Sequence, residues 1–229
     1  MYVLYGGIMA GYKRSEATVQ KILDVSLKLF LEKGYEETTI LDIVDQLGGL
    51  TRGAFYHHFK SKEEVLNAIN DRMFLENNPF EKIRNEKNMT GLEKLKHVIK
   101  YQFSNQDVKN VNMMSLPLLK NPRILVDCLE TNQRVVAPMF QELIEEGIRD
   151  GSIHLDPKYT KTASEFMMLF SDLWLAPVIF PSDPQEMKQR LYFSKELYEK
   201  LGLPLFDDEI ISYMEHMIDQ IGEMNKIAK

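Results

Sequence analysis

Hydrophobic residues along the chain recur at intervals of three and four, which is the spacing of one face of an α-helix. The first such stripe runs from about Ser15 to Lys33, and Gly34 follows it as a typical helix-ending residue. Its inward positions are Ile22, Leu23, Ser26, Leu27, Phe30 and Leu31. No segment shows the strict alternation of apolar and polar residues that is typical of a strand. The pattern therefore predicts an all-α protein.

A short helix, a tight turn and a second short helix are predicted in residues 38–62. Thr38 or Thr39 can cap the first helix with its hydroxyl oxygen. The pair Gly48-Gly49 ends it, because glycine adopts the left-handed conformation of helix ends at little steric cost. The helix buries four residues at helical spacing, which are Ile40, Ile43, Val44 and Leu47. Two helices joined by a glycine turn form the helix-turn-helix pattern, whose second helix lies in the major groove of DNA.

The second helix, from Arg52 to about His58, carries side chains suited to DNA. The planar guanidinium of Arg52 can donate to guanine O6 and N7 together. Gly53 allows the backbone to approach the bases, and Tyr56 and Lys60 can reach phosphates. Phe55 and Phe59, one turn apart, are predicted to pack inward. The candidate DNA-binding residues are Thr39, Thr51, Arg52, Gly53, Tyr56, His57, Lys60 and Lys62.

Two stretches resemble the TetR family of bacterial helix-turn-helix transcriptional regulators. They are residues 34–40, Gly-Tyr-Glu-Glu-Thr-Thr-Ile, and residues 51–62, Thr-Arg-Gly-Ala-Phe-Tyr-His-His-Phe-Lys-Ser-Lys, and the resemblance covers about residues 16–66. The turn has two glycines where the family usually has one, which predicts a small shift or rotation of the recognition helix. The resemblance implies a repressor that binds double-stranded DNA at an inverted-repeat operator and is released by a small-molecule effector.

The resemblance also implies a homodimer held by a four-helix bundle of late helices. In this chain those helices correspond to residues 160–179 and 206–222. Their candidate interface residues are Leu169, Leu173, Ile210, Ile211, Met214, Met217, Ile218 and Ile221, part of which is ordinary core.

Charge and composition limit this interpretation without overturning it. The formal net charge of −6 argues against nucleic acid. Residues 1–72, however, hold nine basic and ten acidic residues, which leaves a net charge of −1 in that part. A local basic rim is enough for a small DNA-binding domain, and its candidates are Lys13, Arg14, Arg52, Lys60 and Lys62. The single cysteine, Cys128, cannot form an internal disulfide, so a cytoplasmic location is expected.

The remaining chain is predicted to consist of further helices. Ser61 and Glu64 form a capping box that opens a helix to about Asn77, and Asn77-Asn78-Pro79 marks a break. Residues 81–90 are expected to be a loop or a poorly held short helix. Later helices are predicted from Thr90 to past Phe103, then at residues 108–119, 122–150, 158–180, 184–201 and 206–222.

The predicted domains follow from these elements. Residues 1–12 lack a basic start and a long apolar run, so they are expected to be a flexible arm rather than a signal peptide or membrane span. Residues 13–60 form the DNA-binding domain and residues 61–78 a connecting helix. Residues 79–229 form a helical domain for effector binding and dimerisation.

Pro138 and Pro177 fall inside predicted helices, where each removes a backbone donor and displaces a carbonyl, giving a kink. Kinked helices leave room between them, and flexible thioethers and aromatic rings suit an adaptable apolar pocket. The alternative is that these side chains are ordinary core. The candidate effector-binding residues are Tyr101, Phe103, Met113, Met114, Cys128, Asn132, Met139, Phe166, Met167, Phe170 and Trp174.

Other kinds of site find little support. His57 and His58 are adjacent, so on a helix their side chains point about 100° apart, and no carboxylate or cysteine stands at metal-ligand spacing. No catalytic arrangement of residues can be nominated, so neither enzymatic activity nor a cofactor is expected. The competing hypothesis is an all-α interaction module or helical enzyme that keeps only the fold of the DNA-binding domain. A narrower alternative is an activator, or a regulator controlled by a protein partner.

Overall fold

The computed structural model describes residues 16–227, and all of their side chains except those at positions 16, 73–77, 171–172 and 224–227. The predictions for residues 1–12 and for Lys13 and Arg14 lie outside this description. The model is 78% helical, and the described residues form no strand. The α-helices are α1 (Glu16–Lys33), α2 (Ile40–Gln46), α3 (Arg52–His58), α4 (Lys62–Asn77), α5 (Pro79–Arg84), α6 (Gly91–Ser104), α7 (Gln106–Ser115), α8 (Pro122–Thr131), α9 (Ala137–Asp150), α10 (Thr160–Leu169), α11 (Pro184–Lys200) and α12 (Asp208–Ile227).

Helices α1 to α4 share one hydrophobic core, which we call the head core. Its largest members are fully buried and come from all four helices: Ile22, Phe30, Ile43, Phe55, Phe59, Leu66 and Ile69. The prediction that Phe55 and Phe59 pack inward is therefore confirmed. Gly48 and Gly49 both have positive φ, 56° and 98°, so the turn between α2 and α3 uses the left-handed conformation that the sequence predicted.

The start of α4 differs in one detail from the predicted capping box. Ser61 caps the helix as expected, since its hydroxyl oxygen accepts a hydrogen bond from the Glu64 N–H. The Glu64 carboxylate reaches one residue further than predicted and accepts from the Lys60 N–H, at 2.8 Å.

The segment after α4 contains a short helix, which was one of the two predicted alternatives. Residues 79–84 form α5, and the burial of Phe80 and Ile83 shows that this helix is packed rather than poorly held. Asn78 caps this helix by accepting from the Phe80 and Glu81 N–H groups, and the ring of Phe80 packs edge-on against Phe140, with 4.9 Å between ring centroids. This contact with a residue 60 positions away holds the short helix in place.

The two prolines act differently from the simple kinks that were predicted. Before Pro138 the helix widens into a π-helical turn at Asn132–Val136, so the predicted helix at 122–150 is divided into α8 and α9. Before Pro177 a second π-helical turn, Phe170–Trp174, follows α10, and the chain then leaves the helix at Leu175. Pro177 therefore follows the helix instead of kinking it, because the residue before a proline disfavours the helical conformation. Similarly, α7 ends at Ser115, and residues 116–120 form a 3₁₀ turn that contains Pro117.

The second half of the chain holds two adjoining hydrophobic clusters. One surrounds α6, α9 and α10, which pack closely enough that Gly91 of α6 lies against the backbone of Gly147 of α9. The other joins α7, α8, α11 and α12. The second cluster corrects part of the predicted dimer interface, because five of its proposed residues are buried inside the chain and are unavailable to a second copy: Ile210, Ile211, Met214, Ile218 and Ile221. Leu169, by contrast, is exposed.

Candidate functional site

Each helix of the helix-turn-helix is capped at its start by a threonine. The Thr39 hydroxyl accepts from the Asp42 N–H at 3.1 Å and donates to the Asp42 carboxylate at 2.8 Å. The same carboxylate pairs with the Lys33 ammonium at 2.7 Å, and this contact, followed by the hydrogen bonds from Thr39, holds the pKa of Asp42 well below its usual range. Thr51 caps α3 by accepting from the Ala54 N–H at 3.1 Å. Thr39 therefore fixes the start of α2, and Thr51 fixes the end of the turn and the start of α3.

One side of α3 is exposed and polar. Arg52, Gly53, Tyr56 and His57 are all exposed, and the guanidinium carbon of Arg52 lies 5.6 Å from the centre of the Tyr56 ring. A Cβ atom added at Gly53 would meet only the Thr51 hydroxyl, at 3.9 Å. Packing within the chain therefore does not require glycine at this position, and its absent side chain leaves the surface open to an approaching partner.

The two predicted lysines have different surroundings. Lys60 is exposed at the end of the helix-turn-helix. Lys62 is tied into the fold, because its ammonium donates to the carbonyl oxygens of Tyr35 at 2.7 Å and Glu36 at 3.2 Å and lies 4.5 Å from the centre of the Tyr35 ring. Burial raises the pKa of that tyrosine above its usual value. Lys62 thus joins the start of α4 to the segment between α1 and α2.

Two small, mostly apolar cavities lie in the second half of the chain. The first has a volume of about 60 Å³ and is lined by Ile99, Gln102, Phe103, Phe140, Met167, Met168, Phe170, Leu175, Tyr198, Leu205, Phe206 and Met214. The second has a volume of about 40 Å³ and is lined by Gln102, Phe103, Lys109, Asn112, Leu175, Met187, Arg190, Leu191, Met214, Met217 and Ile218. The two cavities adjoin, because they share four lining residues, Gln102, Phe103, Leu175 and Met214.

The structure brings some of the predicted effector-binding residues to these cavities. Phe103, Met167 and Phe170 line the first cavity. Phe166 and Trp174 stand behind that wall, since each packs its ring against Phe170.

The other six predicted effector-binding residues lie elsewhere. The Tyr101 hydroxyl accepts from the Asn105 amide, and Met114 packs against the head core. Met113 packs against the cluster around α12, and Met139 against the cluster around α9. Cys128 and Asn132 contact each other, with 3.6 Å between Sγ and Nδ2, and Asn132 lines a separate groove of about 300 Å³ between α8 and α10.

Several lining residues were not predicted. Gln102 could have been found, because it follows Leu95, Val98 and Ile99 at helical spacing and so places an amide on the inward face of α6. Lys109, Arg190 and Tyr198 gave no such signal. Burial raises the pKa of the Tyr198 phenol above its usual value.

The described part of the chain offers neither a metal cluster nor a membrane-spanning helix. Among residues 16–227, no group of three or more His, Cys, Asp or Glu side chains is placed to hold a metal ion. None of the described helices is long and apolar enough to cross a bilayer.

Comparison with known proteins places these features in a family. Residues 22–69 match the family model described as bacterial regulatory proteins, tetR family. The chain is 30% identical over 152 residues to the HTH-type transcriptional repressor KstR2 of Mycolicibacterium smegmatis, covering 59% of this chain and 67% of the relative. It is 44% identical over 55 residues to the HTH-type transcriptional regulator SrpR of Pseudomonas putida, covering 24% of this chain and 25% of that protein.

A solved structure shares the fold of this chain. A TetR-family transcriptional regulator from Pectobacterium atrosepticum superposes with a TM-score of 0.56 at 21% identity, covering 83% of this chain and 98% of that structure. The relatives are transcriptional regulators, which confirms the prediction that the chain is not an enzyme. From the helix-turn-helix and the extended similarity to KstR2, this chain belongs to the TetR family of bacterial transcriptional regulators.

Proposed function

We propose that the protein is a repressor that binds an inverted-repeat operator as a homodimer and is released when a small, largely apolar molecule enters the second half of the chain. The observation that carries the proposal is the exposed face of α3, where Arg52 lies beside Tyr56 above the open surface at Gly53. The name of the KstR2 relative, a transcriptional repressor, favours repression over activation.

The side chains on and beside α3 divide the work of DNA binding. Arg52 is suited to base edges, because its planar fork matches guanine O6 and N7. Thr51 and His57 flank it on the same exposed surface. Tyr56 and Lys60 are suited to phosphates, which position the protein without reading sequence. Thr39 can donate to a phosphate only by releasing Asp42, and Lys62 contributes charge from its place in the fold.

The release step requires a path from the cavities to the head core, and α7 supplies one. Lys109 and Asn112 of α7 line the second cavity. On the same helix, Val111 belongs to the head core and Ser115 accepts a hydrogen bond from Asn70 of α4 at 3.1 Å. A molecule that shifts α7 therefore shifts α4, and the two DNA-binding domains of a dimer change their spacing. Such coupling is typically worth about 1–3 kcal/mol.

Dimerisation and domain division complete the proposal. Two copies are needed because helix-turn-helix proteins usually read two symmetric half-sites. The interface we propose uses the exposed apolar residues Phe166 and Leu169 of α10. Residues 13–60 are the DNA-binding domain, residues 61–78 the connecting helix and residues 79–229 the effector and dimer domain of a cytoplasmic protein.

Selection from random DNA duplexes at about 0.15 M salt, near physiological ionic strength, tests the proposal. The natural protein should enrich an inverted repeat. Arg52→Ala should lose about 1–3 kcal/mol and relax the selected sequence at one position of each half-site. Lys60→Ala should weaken binding to all sequences alike and reduce the salt slope by about one.

Tyr159→Ala serves as the control, since it removes a large exposed side chain far along the chain from α3. It should leave the selected site unchanged. Absence of any enriched sequence, or equal losses in Arg52→Ala and Tyr159→Ala, would favour the competing interaction module. An enriched site at which the protein increases transcription would instead favour an activator.

A further inference from the structure

Lys109 is buried without a partner at the second cavity. Its residue is only 8% exposed, and its ammonium makes no hydrogen bond or ion pair with any described residue. The other buried lysine of the described chain, Lys94, is 3% exposed and satisfied by both the Glu146 carboxylate at 2.6 Å and the Arg84 carbonyl oxygen at 3.0 Å. The Lys109 side chain therefore lines the second cavity without the anionic partner that Lys94 has.

The described walls of the two cavities provide no such anion. Among the residues whose side chains are described, no aspartate or glutamate lines either cavity. Arg190, which lines the second cavity with Lys109, donates to the carbonyl oxygens of Trp174 and Phe180, at 3.3 Å and 3.0 Å, and its guanidinium carbon lies 5.0 Å from the centre of the Trp174 ring. Among the described residues, the hydrogen-bond partners of Arg190 are therefore neutral. The described lining of the second cavity holds two cationic side chains, Lys109 and Arg190.

The first cavity is different in character. Its lining is apolar except for Gln102 and the Tyr198 hydroxyl. Gln102 lies where the two cavities adjoin, is 6% exposed, and has a buried Oε1 atom without a hydrogen-bond partner. Met167 and Met214 can repack around a longer chain, because thioethers are flexible. The second cavity thus carries two cationic side chains, the Gln102 amide lies between the cavities, and the first cavity is apolar.

We propose that the effector is an amphipathic monoanion, in which a carboxylate binds Lys109 and Arg190, the neck passes Gln102, and an unbranched apolar tail enters the first cavity and widens it as Met167 and Met214 repack. This inference rests on the proposed function, since it names the chemical class of the effector. It also explains how effector binding affects DNA binding, because the anion contacts Lys109 of α7, the helix that contacts α4.

Titration with decanoate tests this inference, below the concentration at which decanoate forms micelles. Trp174, the only tryptophan of the chain, packs on both Phe170 and Arg190 and serves as a fluorescent reporter, and isothermal calorimetry gives the affinity directly. Decanoate should bind at least tenfold more tightly than decanol, while acetate and decylammonium should not bind. Shortening the tail from decanoate to octanoate should weaken binding about fourfold for each methylene removed.

Two lysine variants identify the contact. Lys109→Met should lose at least tenfold in decanoate affinity and keep its affinity for decanol. Lys120→Met, which removes an exposed lysine of the same charge, should match the natural protein for both. Circular dichroism melting of each variant confirms that it is folded, and Lys109→Gln replaces Lys109→Met if the latter is not.

The inference is overturned if decanol binds within threefold of decanoate, if Lys109→Met keeps the preference for decanoate, or if no probe binds. Operator binding, measured separately, distinguishes this failure from that of the proposed function. A protein that binds its operator and is released equally by decanol and decanoate would remain an effector-controlled regulator with a neutral ligand. A protein that binds decanoate but no operator would keep the site and lose the proposed function.

Discussion

Replacing Ser115 with alanine tests whether α7 and α4 are mechanically joined. Ser115 is 1% exposed, and its hydroxyl accepts from the Asn70 amide at 3.1 Å while donating to the Val111 carbonyl oxygen at 2.8 Å. Without the hydroxyl, the Asn70 amide is left buried and unpaired at 4% exposure. Leaving such a donor buried without a hydrogen-bond partner should lower the free energy of unfolding by about 1–3 kcal/mol. For a chain of this size the melting temperature should fall by about 2–4 °C for each kcal/mol.

Ser26→Ala is the matched control in the same assay. Ser26 is also fully buried, but its hydroxyl has no hydrogen-bond partner, so removing it should change the free energy of unfolding by no more than about 0.5 kcal/mol, or stabilise the protein. Urea denaturation gives both values. Operator release by effector should also weaken in Ser115→Ala, while operator affinity without effector stays near that of the natural protein. Equal stabilities of the two variants would refute the inferred connection between α7 and α4 through Ser115 and Asn70.

Two further predictions concern packing and pH. In Gly91→Ala the new Cβ would lie 2.1 Å from the Gly147 nitrogen and 2.6 Å from the Leu143 carbonyl oxygen, so the free energy of unfolding should fall by about 1–3 kcal/mol or more in denaturation experiments. Gly53→Ala is the control, because its Cβ meets nothing closer than 3.9 Å and the variant should fold normally. Equal stabilities of the two variants would contradict the close crossing of α6 and α9. Burial raises the pKa of Asp71 from 3.8 to about 8, so the Asp71 carboxyl group binds its proton more tightly in the folded chain than in the unfolded chain. The free energy of unfolding should therefore fall by up to about 1.4 kcal/mol per pH unit as the pH rises from about 4 to 8. Asp71→Asn should remove that part of the slope in melting experiments at pH 5 and 8.5, and an unchanged slope would contradict the assignment.

The starts of helices could be predicted because capping is a local interaction. Thr39, Thr51, Ser61 and Thr90 each accept a hydrogen bond from the backbone three residues later. The sequence predicted this role for Ser61 and for Thr38 or Thr39. The glycine turn is local as well, since Gly48 and Gly49 set its conformation themselves.

The interior of the second half could not be predicted as well, because distant contacts decide it. The short helix α5 is held by the packing of Phe80 on Phe140, and no signal within residues 79–90 reveals that partner. The π-helical turns before Pro138 and Pro177 likewise depend on how the neighbouring helices pack. A proline in a helical pattern predicts a disturbance but does not say whether the helix widens or ends.

The cavity residues divide along the same line. Phe103, Met167 and Phe170 have side chains typical of a pocket, and the sequence identified them. Lys109 has none of that character, because a lysine in a helix is usually exposed and nothing nearby in the sequence shows that it lacks a partner. The residue that most sharply defines the chemistry of the cavity was therefore the hardest to find.

In the mechanism that we propose, the short length of α7 explains how a small molecule acts on DNA binding without a long chain of contacts. Successive residues on a helix turn by about 100°, so Lys109 and Asn112 face the second cavity while Val111 and Ser115 face the head core and α4. A ten-residue helix held on both sides moves as a rigid body, so a displacement at Lys109 is also a displacement at Ser115. The cavity and the head core are then separated by one helix diameter, roughly 10 Å. An effector can change operator affinity only by the ratio of its affinities for two states of the protein, one with α7 in the shifted position and one with α7 in the DNA-bound position.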